Sequence, residues 1–139
     1  MKIAVIDGQG GGIGRLITEK IRKALPEVEI IALGTNALAT SLMLKAGANE
    51  GASGENAIVV NAAHVDLIVG SIGILVANSM LGEYTPSMAR AVAESAAVKL
   101  VIPLNRARVE VIGLNDEPLP HQVEKLVQRI QRIKVDRGN

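Results

Sequence analysis

The residues with the clearest chemical potential form a glycine-rich stretch near the start of the chain. Directly after Asp7 the sequence reads Gly8, Gln9, Gly10, Gly11, Gly12, Ile13 and Gly14. Glycines let the backbone turn sharply and come close to a bound phosphate. If a helix follows, its unpaired N–H groups and its positive dipole end attract an anion. We therefore expect this loop to cradle a phosphate, with a tight structural turn as the alternative.

The spacing of these glycines narrows the class of loop. It departs from G-x-G-x-x-G because Ile13 takes the last position, and it is no Walker loop because no Gly precedes a Lys-Ser or Lys-Thr pair. It fits G-x-x-x-G-x-G through Gly8, Gly12 and Gly14, and there it resembles the cofactor loop of short-chain dehydrogenases. That resemblance implies NAD or NADP as a cofactor. It does not extend to the catalytic Tyr and Lys of those enzymes, because Met88 stands four residues after Tyr84.

Short polar residues follow the other predicted strands, where ligands bind in open α/β sheets. The candidates for ligand contact are Thr35, Asn36, Ser71, Gly73, Asn105 and Arg106. We expect Thr35 and Asn36 to contact a ribose or a second phosphate, with helix capping as the alternative. Arg106 can bind a phosphate or carboxylate through its guanidinium, with a surface ion pair as the alternative. The second strand lacks the acidic residue that holds an adenosine ribose in dinucleotide folds.

Few side chains in this sequence suit acid–base catalysis. Asp7 is the one carboxylate that we consider as a base, with hydrogen bonds to the loop backbone as the alternative. His64 is expected to have a structural role at the opposite edge of the sheet, and His121 to face water. The sequence therefore leaves open whether the protein catalyses a reaction.

These residues are positioned by predicted strands that alternate with helices. Strands are predicted at residues 3–6, 28–33, 48–52, 67–70, 99–104 and 109–114, and helices from the glycine loop to Pro26 and at 36–47, 54–63, 85–97 and 119–135. Asn36, Ser53 and Thr85 are the expected helix caps. The alternation predicts a three-layer Rossmann-like α/β sandwich with a mostly parallel sheet, formed by residues 1–139 as one domain. Because so few residues separate it from the strand before it, the 109–114 strand is expected to be an antiparallel edge strand, with a parallel strand as the alternative.

Composition excludes several classes of function. The chain has 139 residues, no Cys, Trp or Phe, and one aromatic residue, Tyr84. Proteins that bind single-stranded nucleic acid stack bases on aromatic rings, and disulfides, iron–sulfur clusters and zinc–thiolate sites need cysteine. A net charge of +1 favours neither nucleic acid nor membrane, and we expect a cytoplasmic protein without a metal site. Few charged residues occur between Ile30 and Gly82, which indicates either deep core or a surface shared with another copy of the chain.

Several longer stretches carry a family resemblance. They are MKIAVIDGQGGGIG at 1–14, ALGTNALAT at 32–40, GANEGASGENAIVVNA at 47–62, ANSMLGEYTP at 77–86 and IPLNR at 102–106. In these the chain resembles a small bacterial family, mainly from Firmicutes, that is known only as a domain of unknown function. The resemblance implies a compact α/β protein with a Rossmann-like start, and it implies no activity.

Together these features predict a homo-oligomeric protein that binds a nucleotide, NAD or NADP among them, or a related phosphorylated ligand. The site lies at the carboxyl edge of the sheet. One alternative is a non-catalytic ligand sensor or an assembly subunit. Another is an isomerase or transferase that acts on a sugar phosphate.

Overall fold

The computed structural model describes residues 1–104 and 107–138, which form an α/β sandwich. In chain order the elements are β1 (Lys2–Asp7), α1 (Gly12–Ala24), β2 (Glu29–Gly34), α2 (Ala37–Lys45), β3 (Glu50–Ser53), α3 (Glu55–Asn61), β4 (Leu67–Ser71), α4 (Pro86–Glu94), β5 (Val98–Ile102) and α5 (Leu119–Asp136). Two short 3₁₀ turns, Ile72–Leu75 and Met80–Gly82, lie between β4 and α4. These bounds confirm the predicted elements up to residue 104 and the closing helix, to within a few residues.

The five strands pair in the order β3-β2-β1-β4-β5, and every pair is parallel. β2 and β3 lie on one side of the central strand β1, and β4 and β5 lie on its other side. The strand order therefore reverses between β1 and β4. In open α/β sheets a crevice forms at this point, beyond the carboxyl ends of the strands.

Alternating side chains of the sheet supply two separate cores. Ile3 and Val5 of β1 pack with α1 and α5 on one face, whereas Ala4 and Ile6 pack with α3 and α4 on the other. All four side chains are almost completely buried, as expected for a central strand covered on both faces.

Within the described residues, no helix is both long and apolar enough to cross a bilayer.

Two of the three expected caps are confirmed. Asn36 Oδ1 accepts a hydrogen bond from the Ala39 N–H at 2.9 Å, and Thr85 Oγ1 accepts one from the Met88 N–H at 3.3 Å. The third was wrong, because Ser53 is the last residue of β3 and its hydroxyl lies 2.7 Å from that of Thr40. Gly54 occupies the cap position of α3 instead.

The predicted edge strand at Val109–Leu114 does not form, so the expectation of an antiparallel strand was wrong. Arg108 and Gly113 have φ angles of +54° and +94°, which interrupt an extended chain. Ile112 is 89% exposed, so its apolar side chain gains nothing from this position. A groove of about 610 Å³, lined by residues of both segments, separates β5 from residues 113–115. The apolar and β-branched residues of this stretch favour a strand, but residues 109–114 pair with no neighbouring strand.

Candidate functional site

The glycine loop forms a tight turn between β1 and α1. The Gly11 N–H donates to the Gly8 carbonyl at 3.0 Å, and Gly11 has a φ of +73°, which favours glycine. Asp7 stabilises the turn from below, because its two carboxylate oxygens accept hydrogen bonds from the N–H groups of Gly8 and Gly14 at 2.8 and 2.6 Å. This geometry favours the structural alternative for Asp7, because the residue is only 7% exposed and its carboxylate accepts hydrogen bonds from the loop backbone.

A cleft of about 540 Å³ opens beside this loop, at the point where the strand order reverses. Its lining residues are Asp7, Gly8, Gln9, Gly10, Gly11, Gly12, Ile13, Ser71, Gly73, Ser79, Met80, Leu81, Leu104, Ala107 and Leu119. The loop after β1 forms one wall and the segment after β4 forms the other. The volume lies within the range of small-molecule binding sites.

Three backbone donors in the wall have no partner among the residues that the structure describes. Within residues 1–104 and 107–138, the N–H groups of Gly10, Gly12 and Ile13 make no hydrogen bond to protein. Gly12 and Ile13 begin α1, where the first N–H groups of any helix lack an internal acceptor. They also lie at the positive end of the helix dipole, so this wall favours an anion.

The other side of the loop is occupied by a carboxylate. Glu83 Oε1 accepts hydrogen bonds from the Gln9 N–H at 3.0 Å, the Thr35 hydroxyl at 2.7 Å and the Asn36 amide at 2.8 Å. We call this group of four residues the Glu83 clasp. Hydrogen bonding by Thr35, and then by the Gln9 N–H and Asn36, lowers the pKa of Glu83 below its ordinary value of 4.5. The group is therefore a carboxylate at neutral pH.

The structure separates the sequence-predicted ligand contacts into two groups. The seven loop residues, Ser71 and Gly73 line the cleft, except that Gly14 lies beneath the loop on Asp7. Thr35 and Asn36 do not line it, because they bind Glu83 in the clasp. Asn105 and Arg106 lie outside the residues that the structure describes. His64, just before β4, is exposed at the opposite edge of the sheet, and His121 is exposed in the first turn of α5.

Sequence reasoning missed the clasp and part of the cleft wall. Glu83, Leu104, Ala107 and Leu119 were not among the candidates. One signal for Glu83 was present, because it is the acidic residue that ends a long stretch with few charges. Its contact with Gln9 spans 74 positions, and local spacing does not reveal such a pair.

The comparisons with solved structures identify similar folds. A dodecameric FMN-dependent UbiX-like decarboxylase from Escherichia coli O157:H7 matches with a TM-score of 0.51 and 14% identity, over 100% of this chain and 96% of that chain. A universal stress protein in complex with cAMP matches with a TM-score of 0.42 and 20% identity, over 72% of this chain and 95% of that chain. At these identities the likeness to the decarboxylase shows a shared Rossmann-like fold and nothing further.

Sequence comparison places the chain in a family without adding an activity. No curated protein matches the sequence. The family model described as Domain of unknown function (DUF3842) matches residues 2–135, which is nearly the whole chain. The protein is therefore a member of the DUF3842 family.

Proposed function

We propose that this protein binds a nucleotide or a related phosphorylated ligand in the cleft, with a phosphate on the N–H groups of Gly10, Gly12 and Ile13. The observation that carries the proposal is that these unpartnered donors line a cleft at the reversal of strand order. Backbone N–H groups at a helix start bind phosphate without any cationic side chain. The Ser71 hydroxyl and the Gly73 backbone lie in the facing wall, where they can contact the rest of the ligand.

The apolar part of the cleft suits a base or another flat group. Ile13, Met80 and Leu104 line it, so a ring would rest on aliphatic surface rather than stack on an aromatic residue. FMN, on which the UbiX-like decarboxylase depends, belongs to this ligand class. NAD and NADP, which the glycine spacing favoured, belong to it too and are part of the test below.

A second candidate function is ligand sensing without catalysis. Among the described residues that line the cleft, Asp7 is the only ionisable side chain, and its carboxylate binds the loop backbone. A general base must reach the proton that it removes, and Asp7 is already engaged by two N–H groups. This favours a pocket that binds a ligand and alters the assembly of identical copies. Light scattering with and without the ligand tests the sensor: an unchanged mass contradicts regulation by assembly.

Thermal unfolding with a panel of ligands tests the binding proposal. The panel is FMN, AMP, ATP, NAD, NADP, ribose 5-phosphate and inorganic phosphate. A ligand present at 100 times its Kd stabilises the folded state by about 2.7 kcal/mol, which gives a clear rise in Tm. We expect at least one nucleotide or sugar phosphate to raise the Tm of the wild-type protein.

Gly12→Val is the variant that separates binding from folding. A Cβ atom on Gly12 meets no heavy atom within 4 Å, so the fold tolerates a side chain that enters the cleft. The variant should keep its Tm without ligand and lose the ligand-induced rise. His64→Ala, at the opposite edge of the sheet, is the control and should keep both. If no ligand of the panel shifts the wild-type Tm, or if Gly12→Val responds like the wild type, the proposal is wrong.

A further inference from the structure

The segment between the 3₁₀ turn Ile72–Leu75 and α4 runs across the glycine loop. We call residues 78–83 the crossing segment. At one end the Ser79 hydroxyl donates to the Gly73 carbonyl at 2.6 Å, on the β4 side. At the other end Glu83 binds Thr35, at the end of β2. In between, the Met80 sulfur would lie 2.7 Å from a Cβ atom placed on Gly8, so the segment passes directly over the loop.

The backbone of the crossing segment is strained. Asn78, Met80 and Leu81 have φ angles of +64°, +57° and +56°, a region that bulky side chains rarely adopt. Such residues persist only where surrounding contacts hold them, and they concentrate at functional sites. The contacts here include hydrogen bonds from the Asn78 N–H to the Tyr84 carbonyl at 2.8 Å and from the Tyr84 N–H to the Ser79 carbonyl at 3.2 Å.

The clasp also fills the place of a second nucleoside. Dinucleotide sites in this type of fold join two mononucleotide-binding halves, and the half on the β2 side holds a ribose through residues at the end of β2. In this protein those residues are Thr35 and Asn36, and both donate to Glu83 instead. A phosphate on that side would meet the Glu83 carboxylate, and two like charges repel each other.

We propose that the crossing segment closes the β2 half of the site, so that the ligand is a phosphorylated molecule no larger than a mononucleotide and not a dinucleotide. The inference rests on the proposed function, since it describes the same cleft. It assigns Glu83, through its three hydrogen bonds, as the residue that determines this specificity. Thr35 and Asn36 then hold the crossing segment rather than the ligand.

Isothermal titration of the full chain with FMN, AMP, NAD and NADP tests the inference. We expect the wild-type protein to bind AMP or FMN at least about tenfold more tightly than NAD or NADP, because a dinucleotide has to displace the clasp and approach its charge. Glu83→Ala and Glu83→Gln remove that charge and should narrow the difference to about threefold or less by raising dinucleotide affinity. Glu19→Ala removes an exposed charge on α1 away from the clasp, and it should leave the ratio unchanged.

The outcomes separate the two proposals. If the wild-type protein binds NAD as tightly as AMP and FMN, the inference that the β2 half of the site is closed is wrong. The proposed function is still supported by that result. A Glu83→Ala variant that loses dinucleotide affinity also overturns the inference, because Glu83 would then bind the ribose itself. If neither the wild type nor the folded Glu83 variants bind any of the four ligands, ATP, ribose 5-phosphate or inorganic phosphate, the proposed function fails and the inference fails with it. Thermal unfolding establishes that both variants are folded, and Glu83→Gln retains an oxygen acceptor if Glu83→Ala is unstable.

Discussion

Both sides of the glycine loop present backbone N–H donors, but these donors are open on one side and bound by a carboxylate on the other. On the cleft side the N–H groups of Gly10, Gly12 and Ile13 have no partner within the described residues. On the β2 side the Gln9 N–H is bound by a glutamate from a distant part of the chain. A glycine-rich loop therefore defines where an anion can bind, whereas the rest of the chain decides which of its donors stay open. The motif alone does not predict the ligand.

The largest expected effect on stability comes from adding a side chain to a glycine on the closed side of the loop rather than on its open side. A Cβ atom on Gly34, at the closed side, would lie 2.3 Å from the Thr40 hydroxyl oxygen and 2.7 Å from the Asn36 carbonyl oxygen. Because backbone atoms cannot give way easily, Gly34→Ala should lower the free energy of unfolding by about 3 kcal/mol. Gly12→Ala, on the open side, should change it by less than about 0.5 kcal/mol. Urea unfolding measures both, and equal effects would mean that the two sides are equally open.

Asp7→Asn tests whether the open side depends on support from beneath the loop. An amide has one oxygen acceptor, so one of the N–H groups of Gly8 and Gly14 would face a donor instead. We expect a loss of about 2 kcal/mol in the free energy of unfolding. The control is Asp116→Asn in an exposed segment, which should be neutral. Wild-type stability in Asp7→Asn would show that the loop holds its shape without the carboxylate.

Tyr84→Phe tests how the crossing segment is anchored. The Tyr84 ring is completely buried, and its hydroxyl has no hydrogen-bond partner within the part of the chain that the structure describes. Removing an unsatisfied buried hydroxyl should leave stability unchanged or raise it by up to about 1 kcal/mol. A loss of more than about 1 kcal/mol would instead reveal a polar anchor.

Tyr84 should also make the stability of the protein depend on pH in the alkaline range. Burial raises the pKa of Tyr84, whereas in the unfolded chain a tyrosine ionises near pH 10. The contribution of the neutral Tyr84 side chain to the free energy of unfolding is therefore complete below about pH 10. It is lost as the pH rises toward the folded-state pKa. Thermal unfolding of the wild type should show this alkaline loss more strongly than Tyr84→Phe. Parallel curves for the two proteins would contradict it.

Thr35→Val should give the smallest effect, because the clasp is exposed to solvent. The variant removes the donor that contributes most to the lowered pKa of Glu83, so that pKa should move back toward 4.5. Because the folded-state pKa is the lower one, the stabilisation exists above the unfolded value and is lost as the pH falls through the folded one. At neutral pH we expect a cost of about 0.5 kcal/mol. NMR titration of the Glu83 carboxyl measures the shift, and Thr35→Ser, which keeps the hydroxyl, should show none.

Local signals predicted the local structure of the first strand, the glycine loop and the start of the second helix. The β-branched residues of β1, the glycines that follow and the cap at Asn36 are all encoded within a few positions, so their geometry follows from neighbouring residues. The parallel order of the sheet followed from the alternation of strands and helices. A ligand site at the carboxyl edge of the sheet was expected for the same reason, but the strand order that puts the crevice between β1 and β4 was not predicted.

The rest depended on contacts that sequence spacing does not encode. Thr35 and Asn36 have the residue types of ligand contacts, and only the arrival of Glu83 from 48 and 47 positions away gives them another partner. Residues 109–114 show the converse. Their apolar and β-branched residues favour a strand, but pairing needs an extended backbone and the edge of a neighbouring strand. Gly113, with a φ of +94°, interrupts the extended backbone.

The crossing segment is followed directly by the only aromatic residue of the chain, Tyr84. Because Trp and Phe are absent, all near-ultraviolet absorption and intrinsic fluorescence of the protein come from Tyr84. That ring follows Glu83 directly in sequence and is sealed from solvent while the segment lies across the loop. The protein thus carries its own optical reporter: opening of the crossing segment that frees Tyr84 would change the tyrosine emission of the unlabelled chain, with no other ring to mask the signal.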